Sequence, residues 1–186
     1  MKQILQPHQA ASLVHSGGII AYPTEAVYGL GCDPDNLDAL NRLLALKNRP
    51  WQKGLIIVAS HWEQLEDYVD FSKMTAEQII QAKQEWPGAV TQVMPAKASV
   101  SPKLIGSFDT IAVRISAHPI VQQLCQSLGK PLVSTSANLA GESPSLSIEQ
   151  IEQTFKHKID AVIIGELGEQ TQPSRIIDAL TGQVFR

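Results

Sequence analysis

No stretch of this chain approaches the roughly 18 consecutive apolar residues of a membrane-spanning helix. Gln3, Gln6, His8 and Gln9 interrupt residues 1–15, so the apolar run of an export signal is missing as well. A cytoplasmic protein without membrane contact is expected. Cysteine is scarce: Cys32 and Cys125 stand far apart, with no Cys-x-x-Cys or His-Cys cluster around them. Neither a zinc site nor a disulfide framework is suggested, no residue is assigned to a metal, and a reducing compartment fits. An excess of positive charge is lacking, since 15 basic residues face 18 acidic ones for a net charge of −3. Any nucleic-acid contact must then come from a local basic patch. The common phosphate loops Gly-x-x-x-x-Gly-Lys-Ser/Thr and Gly-x-Gly-x-x-Gly are absent, and Gly129-Lys130 has no upstream glycine to complete one. Also missing are the Gly-x-Ser-x-Gly elbow and the His-Glu-x-x-His pair. His61-x-Glu63 lacks the Pro-Cys-x-x-Cys partner of a zinc deaminase and reads as helix surface. An anion site in this chain must be built differently.

What is present is apolar material, 44% of 186 residues against 18% charged. That is enough to offset chain entropy, and the length fits one domain over residues 1–186. Short β-branched runs at residues 19–22, 55–59, 90–94, 110–115, 132–134, 161–164 and 175–177 alternate with helical patterns. The helices are expected at 7–15, 37–47, 75–86, 119–128 and 148–156. Thr75 with Gln78 and Ser147 with Gln150 match the capping-box spacing, and Gly17 and Gly129 suit helix C-termini. Alternation breaks down over 53–96 and over 161–186, the latter around the turn signal Thr181-Gly182, so a mixed α/β sheet, partly antiparallel, is expected. Residues 141–147, Gly-Glu-Ser-Pro-Ser-Leu-Ser, read as a surface loop suited to act as a flap.

Four constellations carry polar chemistry. Lys47-Asn48-Arg49-Pro50, with Lys53 following, places three cations within seven residues at the end of the helix whose apolar stripe is Leu37, Leu40, Leu43 and Leu44. Cations favour a helix C-terminus, and Pro50 stops the helix. Helical period nevertheless aims Lys47 along the core-facing stripe, where a cation usually meets an anion. A lysine point charge beside an arginine fork suits a polyphosphate. Ser134-Thr135-Ser136-Ala137-Asn138 follows an apolar run; in extended chain Ser134, Ser136 and Asn138 share one face and can line a ligand, and they are equally common turn and cap residues. Pro23-Thr24-Glu25-Ala26-Val27-Tyr28-Gly29-Leu30-Gly31 has glycines that permit close backbone approach, or is a structural loop around a buried Tyr28. In Thr110-Ile111-Ala112-Val113-Arg114-Ile115, alternation puts Thr110, Ala112 and Arg114 on one face, where Arg114 either forks onto a carboxylate or faces solvent. Pro173-Ser174-Arg175 offers a strand start and one further hydroxyl.

In this order the motifs resemble the YrdC/TsaC family of threonylcarbamoyl-AMP synthases. The resemblance rests on Tyr-Pro-Thr-Glu-Ala-Val-Tyr-Gly-Leu-Gly, Leu-Lys-Asn-Arg-Pro, Ala-Val-Arg-Ile-Ser-Ala-His-Pro, Ser-Thr-Ser-Ala-Asn-Leu-Ala-Gly and Pro-Ser-Arg-Ile-Ile-Asp. The length looks like the short bacterial form with a single YrdC-like domain. The resemblance implies a twisted open α/β sheet, mixed parallel and antiparallel, with helices on its faces and a concave ligand cleft. It implies a nucleotidyltransferase that uses ATP, with Mg²⁺, L-threonine and bicarbonate to make threonylcarbamoyl-adenylate and pyrophosphate. The product would serve N6-threonylcarbamoyladenosine modification of tRNA by a transfer complex of the TsaB, TsaD and TsaE type. The family's Lys-x-Arg and Ser-x-Asn pattern falls on Lys47, Arg49, Ser136 and Asn138 as catalytic residues. ATP contacts extend to Lys53 and Thr110, and threonine contacts fall on Thr24, Arg114, Ser134 and Ser174. The chain departs from its relatives at Ala26, where many have threonine, at Gly54 and Val58, where longer relatives have proline and histidine, and at Arg175. The alternative is an RNA-binding or ribosome-maturation module that tracks phosphates, including those of tRNA, along the same basic concavity.

Overall fold

The computed structural model describes residues 2–4 and 6–186. In chain order these form β1 (Lys2–Ile4), α1 (Pro7–His15), β2 (Ile20–Pro23), β3 (Tyr28–Gly31), α2 (Leu37–Leu46), β4 (Ile56–Ala59), α3 (Ala76–Gln84), β5 (Val90–Pro95), α4 (Pro102–Ile105), β6 (Thr110–Ile115), α5 (Pro119–Leu128), β7 (Leu132–Ser136), α6 (Ile148–Phe155), β8 (Ala161–Ile163) and β9 (Arg175–Asp178). The helix ends follow from sequence. Asn36 caps α2 by accepting from Ala39 N at 3.0 Å. Thr75 and Gln78 close a full capping box on α3. Gly129 ends α5 in the left-handed conformation, φ 73°. At α6, Ser147 accepts from Gln150 N, while the Gln150 side chain reaches one residue further back, to Leu146 N.

The nine described strands form one open sheet in the order β1-β8-β2-β3-β7-β4-β6-β5-β9. Pairs β1/β8, β8/β2, β4/β6 and β5/β9 are parallel, and β2/β3, β3/β7, β7/β4 and β6/β5 are antiparallel. The mixed α/β sheet expected from the broken alternation is the one observed. Three elements were not anticipated: β1, the four-residue α4, and β3. β3 is fully buried, yet its sequence is Tyr-Gly-Leu-Gly, poor in the residues that signal a strand. Its glycine is required by packing, because a Cβ on Gly31 would lie 2.5 Å from Val133 O and 2.8 Å from the Tyr22 ring.

Period two divides the strand side chains between two cores. Leu40, Leu43 and Leu44 of α2 pack with Leu30, Ile57, Val113 and Val133 on one face of the sheet, together with Ile151 and Phe155 of α6. On the other face α1 and α5 cover Ile20, Tyr22, Val58, Leu132 and Ile163. The remainder of that second face is the floor of a cleft. The 141–147 segment differs from the flap expected of it. Its early residues are exposed, but Ser145 is buried and anchored at both backbone groups, its O accepting from Tyr28 N and its N donating to Ala137 O.

Candidate active site

The cleft encloses about 800 Å³, within the range of small-molecule sites. Alternate residues of the strands line its floor: Thr110, Ala112 and Arg114 of β6, Ile56 and Val58 of β4, and Ser134 and Ser136 of β7. The walls are loops, with Thr24 and Glu25 at one side, Arg49, Lys53 and Gly54 at another, and Pro173 with Ser174 closing a third.

Lys47 is directed inward, as its place on the apolar stripe of α2 requires. It is 6% exposed, and its Nζ donates to Ser136 O, to Asn138 O at 2.9 Å and to Asn138 Oδ1 at 3.4 Å. Lys47 and Asn138 therefore stand behind Ser136, which faces the cleft and donates through Oγ to Asn138 Oδ1. Burial, and then the neighbouring Arg49 charge, push the Lys47 pKa down to about 8. Three oxygen acceptors around Nζ hold it protonated at neutral pH.

Asn48 separates the two cations. Its φ of 47° is left-handed, uncommon outside glycine but tolerated by asparagine. That reversal sends Lys47 into the core while Arg49 turns to the cleft wall, where its Nε and Nη2 donate to Gly54 O at 3.1 and 2.9 Å. Gly54 is in turn locked against Gly106, whose φ is +71° and which has no room for a Cβ against Gln52 O. Asn48→Gly is expected to leave stability and ligand binding within about twofold of wild type. Asn48→Val strains a β-branched residue at positive φ, at a cost of roughly 1–3 kcal/mol. Thermal unfolding of the two variants side by side checks this.

At the other end of the cleft, Arg114 Nη2 lies 3.1 Å from Glu25 Oε2. Glu25 Oε1 accepts from Ser116 Oγ at 2.6 Å and from Ala117 N at 3.1 Å. Burial alone would raise the Glu25 pKa, but the Arg114 charge and these donors outweigh it, so the carboxyl lies below its ordinary value. Arg114 is thus held by one counter-ion, with its guanidinium on the cleft. Tyr22 OH donates to Ser134 Oγ at 2.7 Å, which leaves the serine's own proton for a ligand. Thr24 Oγ1 donates to Val27 O at 2.7 Å within its own turn. Ser174 Oγ pairs with Thr91 Oγ1 at 2.8 Å, and Arg186 Nη2 holds Ser174 O at 3.0 Å.

All ten residues singled out from sequence converge on this region: Thr24, Arg49, Lys53, Thr110, Arg114, Ser134, Ser136 and Ser174 line the cleft, with Lys47 and Asn138 immediately behind. The departures divide. Ala26, Gly54 and Val58 line the cleft, whereas Arg175 turns away to Glu85, Nη2 to Oε2 3.0 Å. Sequence reading missed Glu25, Tyr22 and Thr91. Glu25 stood inside a motif already noted, and period two along 90–94 would have placed Thr91 on a face with Val93, which also lines the cleft.

An open mixed α/β sheet with a cleft lined by Arg49, Lys53, Arg114 and a row of hydroxyls is the frame of the site. The family model Sua5/YciO/YrdC, described as telomere recombination, matches residues 12–186, and the chain belongs to that family. It is similar to a doubly substituted P. abyssi Sua5, with TM-score 0.89 and 31% identity over 98% of this chain and 58% of that one. It is likewise similar to P. abyssi Sua5 complexed with L-threonine, with TM-score 0.86 and 32% identity over 95% of this chain and 53% of that one. E. coli YciO matches with TM-score 0.85 and 27% identity, over all of this chain and 93% of that one. The chain therefore spans a little over half the length of the P. abyssi structures and nearly the whole of the E. coli one. No helix among the described residues is long and apolar enough to cross a membrane.

Proposed function

We propose that the protein is a threonylcarbamoyl-AMP synthase, a nucleotidyltransferase acting on L-threonine, bicarbonate and ATP. The observation that carries this reading is a single cleft with a guanidinium and hydroxyls at one end, Arg114, Ser134 and Ser174, and cations on the opposite wall, Arg49 and Lys53. An amino-acid carboxylate suits the first end and a polyphosphate the second. Similarity to a protein complexed with L-threonine supports the same reading.

Threonine's amine and bicarbonate join with loss of water into a carbamate. A carbamate oxygen then bonds to the α-phosphorus of ATP as the bridge to the β-phosphate breaks and pyrophosphate leaves. Arg114 holds the carboxylate, Ser134 donates its free proton, and Arg49 and Lys53 stabilise charge that develops on the phosphates. Lys47 keeps the 134–138 turn in place behind them. Thr24 and Ser174 shape the amino-acid end, and Thr110 lies on the floor towards the phosphates.

Among the described residues no three His, Cys, Asp or Glu side chains form a metal cage. The cleft carboxylate Glu25 is already committed to Arg114, Ser116 and Ala117. Mg²⁺ would come with the ATP substrate and would supply neutralisation of phosphate charge, while Arg49 and Lys53 would hold the phosphates. The product would pass to a tRNA-modifying complex of the TsaB, TsaD and TsaE type in the cytoplasm.

Pyrophosphate release from ATP, Mg²⁺ and bicarbonate is expected to require L-threonine. Release that is absent, or indifferent to threonine, overturns the reading. The rate is also expected to fall as pH rises through about 8, where Lys47 loses its proton. A profile flat to pH 10 excludes a need for its charge. For the RNA-binding alternative the available charge is smaller than the sequence suggested, because Lys47 is turned inward and Arg114 is paired with Glu25. RNA affinity that falls steeply with salt, in a protein without threonine-dependent release, is what that alternative requires.

A further inference from the structure

Phe108 is a large apolar side chain left 61% exposed, more than the other exposed rings, Phe185 at 54% and Trp51 at 38%. Phe185 also lines the cleft, but only Phe108 stands on the turn interlocked with residues 52–54. It does not sit on an outer surface but lines the cleft. The turn before it is rigid. Gly106 at φ +71° is wedged against Gln52 O, Ser107 N donates to Gln52 O at 3.0 Å, and Leu55 N donates to Leu104 O at 2.8 Å. Ala96 N donates to Asp109 O at 2.9 Å just beyond the β5/β6 ladder, and residues 106–109 form the turn and bend that lead into β6.

Thr110, Ala112 and Arg114 line the cleft from one face of β6, and Phe108 lines it from the bend just before that strand. At about 3.3 Å per residue the strand row from Thr110 to Arg114 spans roughly 13 Å of backbone. With the ring of Phe108 ahead of it, the row offers a hydroxyl, a small residue that leaves room, and a fork for a carboxylate. Arg49 and Lys53 line the same end of the cleft as Phe108, through the interlocked 52–54 and 104–107 turns. Leu104 and Ile105 add apolar wall beside the ring. Phosphates held by Arg49 and Lys53 therefore leave their attached base within reach of an exposed aromatic face.

We propose that Phe108 is the stacking platform for the base of the bound nucleotide. This assignment rests on the nucleotide-dependent reading above and adds to it the residue that recognises the base. Stacking on an aromatic face is tolerant of base identity, so Phe108 supplies affinity for a nucleoside over bare phosphate and leaves the choice among bases to neighbouring polar groups.

The test compares equilibrium binding of ATP and of inorganic tripolyphosphate to the full chain and to Phe108→Ala and Phe108→Trp. Phe108→Ala is expected to weaken ATP binding about ten- to a hundredfold while tripolyphosphate affinity stays within twofold of wild type. Phe108→Trp restores ATP binding. Unchanged ATP affinity in Phe108→Ala overturns the assignment. Equal weakening of both ligands also overturns it, since the turn and not the ring is then what matters. A wild-type protein that binds tripolyphosphate but not ATP overturns the nucleotide reading itself, an outcome distinct from either of these.

Discussion

Lys47→Met is expected to reduce threonine-dependent pyrophosphate release by about 10²-fold, the cost typical of misplacing groups that contact the substrate, and to lower the thermal midpoint as well. Both effects have one origin. The ammonium donates to Ser136 O, Asn138 O and Asn138 Oδ1, so it binds the C-terminal end of β7 to the end of α2. Methionine fills similar space without a proton to give. The acceptors left buried without a donor cost roughly 1–3 kcal/mol, which for a chain of this size is a drop of about 2–10 °C. The turn that presents Ser134 and Ser136 to the cleft then loosens, and the positive charge behind it is gone. Steady-state kinetics and a thermal melt on the same preparation read both. Unchanged turnover removes Lys47 from the reaction, and lost turnover with an unchanged midpoint excludes its role as a clamp.

Arg114→Ala is expected to have the larger effect on stability. Arg114 and Glu25 have side chains only 10% and 11% exposed, so deleting the cation leaves a buried carboxylate with Ser116 Oγ and Ala117 N but no counter-charge. Breaking such a pair from one side typically costs about 3–5 kcal/mol. Adding Glu25→Gln to Arg114→Ala removes the stranded charge and is expected to recover most of the loss. The pH dependence follows from the depressed pKa of Glu25. A carboxyl ionised more readily in the folded state contributes stability that is complete above the ordinary carboxylate range and is lost as pH falls through its lowered pKa. The gap in stability between wild type and Glu25→Gln is therefore expected at neutral pH and closes on acidification. Denaturant unfolding of the single and double variants at neutral and acid pH measures it. A deficit below about 1 kcal/mol for Arg114→Ala, or one that Glu25→Gln fails to relieve, shows that the pair is not what holds this end of the cleft. Threonine binding should vanish in Arg114→Ala and in the double variant alike, because both lack the carboxylate fork.

Much of this arrangement was legible in the sequence because its signals are local. The capping box at Thr75, the left-handed glycine after α5, and the period-two row Thr110, Ala112 and Arg114 each depend on a few neighbouring residues. The inward aim of Lys47 followed from the spacing of Leu40, Leu43 and Leu44, and its burial agrees. β3 was hidden because its two glycines are demanded by the ring of Tyr22 across the β2/β3 hairpin and by β7, far along the chain. The 141–147 loop was read as free because its composition is that of a mobile turn, whereas Ser145 is fixed by backbone bonds to Tyr28 and Ala137.

The sequence by itself determined the α/β class, most helix and strand positions, and the family motifs that supply the cleft residues, since propensity, capping and periodicity act over short spans. Only the tertiary structure decided which oxygen each polar side chain meets. It set Lys47 behind Ser136 instead of in the cleft, paired Arg114 with a glutamate 89 residues away, and left Phe108 bare beside Arg49 and Lys53. Those partners lie on separate strands and loops, and the order in which an open mixed sheet assembles its strands brings them together.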